Sequence, residues 1–262
     1  MLTSIRLAIL FYTVTIATVS AQQETYAVIV GISDYQALSS QNGDLRYADR
    51  DARQVASFLR SKAGGSVLTS HLRLLTNQQA TLSNVRRAMS LFKQAKVGDR
   101  IILYFSGHGS SNCFLPYDVQ PGNEGSLLTH RDIKAAFHLS GASTKLCIAD
   151  ACLSGSMTQR EDSQRNLAKT LATTVIDSSN VAMLLASRSM QSAIEAGRLE
   201  GGFFTYYLLK GLTGEADHDA DRVVTIRELH QYVATRVRRA TGGRQTPVFY
   251  GRFSDKLALA YL

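Results

Sequence analysis

Two apolar runs in this chain of 262 residues, 101–105 and 145–149, are each followed at once by a short motif of reactive side chains. Ile101-Ile102-Leu103-Tyr104-Phe105 leads into Ser106-Gly107-His108-Gly109. Lys145-Leu146-Cys147-Ile148-Ala149 leads into Asp150-Ala151-Cys152-Leu153-Ser154-Gly155. Uninterrupted apolar stretches of this length read as buried strands of a parallel sheet. If the two are neighbours, their carboxyl ends set His108 beside Cys152 at the edge where open α/β sheets bind ligands. An imidazole beside a thiol is the minimum apparatus for attacking an amide carbonyl, because the base supplies the reactive thiolate.

The rest of the chain repeats the alternation of strand and helix. Residues 26–32 form a first buried strand closed by Gly31. A helix over 45–62 follows, with Ala48, Ala52, Val55, Ala56 and Leu59 on its inward stripe. A short strand over 72–75 precedes a helix from Thr81 through Phe92. A further helix runs through Phe137 before the Cys152 strand. A fifth strand over 181–186, helices over 203–212 and 225–239, and a last edge strand over 256–260 complete the pattern. Strands alternating with helices predict one α/β domain, a three-layer sandwich around a mostly parallel sheet of about six strands. The polar stretch 158–179 reads as a long connection between the two parts of that domain.

Residues 1–21 stand apart. Arg6 precedes an uncharged apolar stretch over 7–19, and Val19-Ser20-Ala21 supplies the small residues of a cleavage site. This is a signal peptide cut after Ala21, so the chain, from residue 22 on, is expected to be exported to a periplasm or beyond the cell; an uncleaved anchor is the alternative. The stretch is too short for a comfortable membrane span, and no other segment approaches one. The net charge of +8 is scattered. Arg236-Val237-Arg238-Arg239 reads as a solvated helix face, and no nucleic-acid module accompanies it. Three cysteines do not make a disulfide framework. Cys113 and Cys147 read as small buried hydrophobes, with a bridge between them left open. Cys152 is the thiol left over.

A histidine motif and a cysteine motif forty-four residues apart, each at a strand end, form a strong joint signal. With residues 26–32, Leu45-Arg46-Tyr47-Ala48-Asp49-Arg50-Asp51-Ala52, Ala186-Ser187-Arg188-Ser189, Gly201-Gly202-Phe203-Phe204-Thr205-Tyr206 and Gln245-Thr246-Pro247, they resemble the caspase-like cysteine peptidases of the caspase–haemoglobinase fold, in particular the bacterial metacaspase type. The resemblance spans the chain from about Glu24 to its end. It implies that Cys152 is the nucleophile and that His108 is the base that also protonates the leaving amine. It assigns the oxyanion hole to the N–H groups of Gly109 and Cys152, where a glycine lets a carbonyl approach without meeting a Cβ.

The resemblance also implies an acidic S1 pocket. Asp150 and Asp51 fall on its matching positions, with Ser106 beside them and Asp49 competing with Asp51. Two carboxylates bracket a guanidinium or ammonium, so cleavage after Arg or Lys of peptide or protein substrates is expected, by a monomer. Leu153 departs from the type, which has histidine there. Arg160, Arg165 and Lys169 in the 158–179 stretch are self-cleavage sites of the expected specificity, or simply parts of an exposed loop. A non-catalytic caspase-like binding domain is the alternative function. A nucleotide-binding Rossmann protein is excluded, since Gly31-Ile32-Ser33-Asp34 lacks the phosphate fingerprint.

Asp217-His218-Asp219-Ala220-Asp221-Arg222-Val223-Val224-Thr225-Ile226-Arg227-Glu228 carries the acidic spacing of a calcium loop at Asp217, Asp219, Asp221 and Glu228. Arg222 stands where that loop wants glycine, and a capping box of Thr225 with Glu228 accounts for part of the pattern without a metal. The peptide-bond chemistry itself needs no cofactor. Calcium remains open as an activator, as in metacaspase-type relatives, which use other acidic residues.

Overall fold

The computed structural model describes residues 23–38, 44–110, 113–152, 181–186 and 201–262. Strand β1 (Thr25–Gly31) lies between β2 (Leu72–Thr76) and β3 (Arg100–Ser110). Beyond β3 the sheet continues with β6 (Thr144–Cys152), β7 (Val181–Leu185) and β9 (Val248–Arg252). The first five strands run parallel, and β9 closes the edge antiparallel to β7. The six-stranded, mostly parallel sheet is thus the expected one. The chain leaves β1 to one side for β2 and to the other for β3. The connections diverge there, and a crevice opens at the carboxyl ends.

Among the described residues, five helices cover the sheet. The core divides by strand alternation into two faces. Val28, Val30, Ile101, Leu103, Phe105 and Cys147 pack on one side against α2 (Leu82–Met89) and α3 (His130–His138). Ala27, Ile29, Ile102, Tyr104, Leu146 and Ile148 pack on the other against α1 (Ala48–Arg60), α4 (Phe203–Lys210) and α5 (Ile226–Ala240). Gly31 is required where α1 crosses the end of β1. A Cβ there would collide with the Ala48 carbonyl oxygen and the Ala52 methyl. Three threonines start helices. Thr81 caps α2 through the Asn84 N–H, and Thr129 with Asp132, like Thr225 with Glu228, forms a full capping box.

Several expectations need correction. Helix α1 begins at Ala48, not at 45, and α4 passes at Gly211 into a π-helical turn, Gly211–Glu215. The C-terminal strand does not join the central sheet. It is β10 (Ala258–Tyr261), paired antiparallel with β8 (Val223–Thr225) in a separate ribbon, with a bulge between Ala258 and Ala260. The true edge strand is β9, whose Gly251 takes φ 139° because a Cβ would strike the Val181 carbonyl. Two short strands, β4 (Cys113–Phe114) and β5 (Leu128–Thr129), form a ribbon on the end of β3. Cys113 and Cys147 are both buried and are not joined by a disulfide. Burial pushes the Cys147 thiol up to about 12, which leaves it inert as a nucleophile. No described helix is long and apolar enough to cross a membrane.

Candidate active site

The motif of β3 and that of β6 meet in register. Ser106 is paired with Asp150, Gly107 with Ala151, and His108 with Cys152. Parallel pairing therefore brings the backbones of the two candidate catalytic residues together at the carboxyl edge, two steps beyond the Ser106–Asp150 pair.

His108 is half-buried and held by its own backbone. Its N–H donates to the Tyr35 hydroxyl at 2.7 Å, and its carbonyl accepts from the Leu115 N–H at 3.0 Å. The imidazole lies over the Tyr35 ring, with centroids 5.0 Å apart. Tyr35 follows β1 and is 3% exposed, so a rigid wall reaches across the β1–β3 crevice to the histidine. Gly107 makes this approach feasible. A Cβ there would stand 2.7 Å from the Tyr35 oxygen and 2.9 Å from the Phe105 ring. Gly109 pairs with Phe114 of β4, and the Phe114 ring stacks on Phe105 at 4.4 Å. The ribbon thus braces the segment that carries His108 and Gly109.

Below this edge lies a buried polar cluster. Asp150 is fully buried, and its Oδ2 accepts from the Thr205 hydroxyl at 3.0 Å. The Tyr104 and Thr205 hydroxyls are 2.7 Å apart, and both residues are fully buried. Asp51, 2% exposed on α1, accepts the Gly202 N–H through both carboxylate oxygens, at 3.3 and 3.1 Å. The Tyr104 phenol is held well above its ordinary range, first by desolvation, then by the charges of Asp51 and Asp150. Ser106 lies beside the same hydroxyl. Asp51, Asp150 and Ser106 thus share one neighbour. Asp49 is spent elsewhere, accepting from the Ser33 hydroxyl at 2.8 Å with Arg53 at 3.5 Å. Sequence reasoning missed Tyr35 and the roles of Tyr104 and Thr205, which looked like strand and helix core. Leu153 and the candidate self-cleavage residues Arg160, Arg165 and Lys169 lie outside the described residues.

The acidic loop is a third cluster, away from the sheet edge. Asp217, Asp219 and Asp221 bring ligand oxygens within 4.8 Å of one another. Arg222 adopts the left-handed φ of 68° that glycine would favour, and its N–H donates to Asp217. Glu228 is committed to the helix start. One oxygen accepts from Thr225 and the other from the His218 N–H. Asp217 Oδ1 is buried with no hydrogen-bond partner among the described residues. The three aspartates fit a hard cation, and Glu228 stands outside their group.

The family model named Caspase domain matches residues 24–258. The chain belongs to the caspase domain family. That family consists of cysteine peptidases, so the protein is a caspase-like peptidase by descent, and membership implies peptide or protein substrates. Among solved structures, protein GSU0716 from Geobacter sulfurreducens superposes with a TM-score of 0.56 over 88% of this chain and 94% of its own, at 17% identity. At that identity the likeness speaks to the fold alone, and the fold agrees with a caspase-like sheet. No curated protein matches the chain.

Proposed function

We propose that this caspase domain is an exported cysteine endopeptidase of the metacaspase type, cutting after arginine or lysine by a Cys152–His108 dyad. The observation that carries the reading is the register of β3 on β6. It sets His108 opposite Cys152 and, two pairs earlier, Ser106 opposite Asp150. In the proposed mechanism His108 takes the thiol proton, and the Cys152 thiolate attacks the scissile carbonyl carbon. The resulting oxyanion is held by the N–H groups of Gly109 and Cys152. The C–N bond breaks as the imidazolium returns its proton to the leaving amine. Water, activated by His108, then hydrolyses the thioester and regenerates the thiol.

Selectivity follows from the buried acid. Asp51 and Asp150 flank Tyr104 at the foot of the same edge, so a basic side chain entering there meets two desolvated carboxylates. A carboxylate side chain would meet repulsion. A non-catalytic binding domain is disfavoured because the chain keeps both His108 and Cys152 at their matching places. The acidic loop is read first as a helix cap; the partnerless Asp217 Oδ1 favours calcium there as a second role. Export rests on residues 1–21, and self-cleavage at Arg160, Arg165 or Lys169 on the same specificity.

Fluorogenic peptides ending in Arg, Lys or Asp, assayed with and without calcium beside Cys152→Ala, test the reading. Turnover of Arg and Lys peptides that the variant abolishes is expected. No difference from the variant would remove the enzyme reading, and preference for Asp would remove the acidic pocket alone.

A further inference from the structure

One element donates to both buried carboxylates. Gly202 caps helix α4 and its N–H donates to Asp51, and three residues later Thr205 donates its hydroxyl to Asp150. Asp51 and Asp150 come from two separate elements, α1 and β6, and the start of α4 ties one to the other. It also presents the positive end of a helix to both acids. The polarity of the chain is determined. A carboxylate only accepts, so the one proton of Thr205 goes to Asp150, and the Tyr104 hydroxyl donates to Thr205 at 2.7 Å. Tyr104, Thr205 and Asp150 are all fully buried.

We infer that Thr205 is a positioning residue for specificity: it relays the Tyr104 hydroxyl to Asp150 and orients that carboxylate for a guanidinium or ammonium of the substrate. The inference rests on the Arg/Lys reading above. Threonine suits the task, since its β-branched side chain has few χ1 states and its hydroxyl is aimed without further ordering. Serine retains the relay. Valine keeps the shape and breaks the relay at both ends.

The test compares Thr205→Val and Thr205→Ser with the parent enzyme on peptides that differ only in an Arg, Lys or uncharged residue before the cut. For Thr205→Val the expected result is a KM raised about tenfold for Arg and Lys peptides, kcat within about twofold, and a smaller advantage over the uncharged peptide. Thr205→Ser restores KM, which a merely structural role would not predict. In the Cys152→Ala background, calorimetric binding of the Arg peptide weakens by the same factor, so turnover need not be relied on. Thermal unfolding of each variant confirms that it is folded. An unchanged KM in Thr205→Val, a loss confined to kcat, or a serine variant as impaired as the valine one overturns the inference and leaves the Arg/Lys reading intact. A parent enzyme that does not prefer Arg or Lys removes both.

Discussion

His130 makes the fold sensitive to acid in a measurable way. The residue opens α3, and its ring packs edge-on against Phe114, centroids 5.6 Å apart. Both ring nitrogens are buried, with no hydrogen-bond partner among the described residues. Burial alone pushes the imidazole from 6.5 down to about 4. The unfolded chain therefore binds a proton that the folded chain refuses. Stability is lost as pH falls through 6.5, and the loss is complete near pH 4. Each pH unit in that window costs about 1.4 kcal/mol, so the whole window is worth about 3 kcal/mol. His130→Met removes the titration and keeps an apolar contact with Phe114. Urea unfolding from pH 7.5 to 4 is the assay. At pH 7.5 the two proteins are expected within about 1 kcal/mol of each other, and near pH 4 the variant is expected to be more stable by about 2–3 kcal/mol. A difference between them that stays constant across the range refutes the argument. Because Phe114 lies on the ribbon paired to Gly109, activity in the parent is expected to fall with the same pH dependence before global unfolding.

Four further outcomes follow from the geometry. Tyr35→Phe leaves the His108 N–H without its acceptor while keeping the ring, so kcat on an Arg peptide should fall about tenfold with KM little changed. Steady-state kinetics decide it. Gly31→Ala forces a methyl onto the Ala48 carbonyl and should destabilise by about 2 kcal/mol or more, measured by chemical denaturation. Thr225→Ala deletes the capping box of α5 and should cost about 1 kcal/mol. If calcium raises the melting temperature of the parent and not of Asp219→Asn, the loop is an ion site as well as a cap.

The sequence announces what is local and periodic. Residues 101–105 and 146–149 are apolar without a break, so the two strands and, once they are neighbours, the edge bearing His108 and Cys152 could be read from them. Strand β9 was missed because Val248–Arg252 is short and interrupted by Gly251, a pattern equally suited to a turn. The polar cluster was illegible for a different reason. Asp51 finds its donor 151 residues away at Gly202, and Asp150 finds its own 55 residues away at Thr205. Within α4, a threonine between Phe204 and Tyr206 reads as helix filler, since nothing in its spacing distinguishes a buried donor from a solvated one.

That blindness has a physical basis that bears on the site. Apolar burial is nondirectional and leaves a period, whereas a buried carboxylate is tolerable only where a particular donor is aimed at it. Asp51, Asp150 and Tyr104 occupy space that hydrophobic side chains could fill, and they are stable there because α4 supplies a donor to each acid. A fold seeking stability alone would replace all three. On the proposed specificity, a basic side chain must meet acids already desolvated and already oriented, and α4 is the element that aims a donor at each.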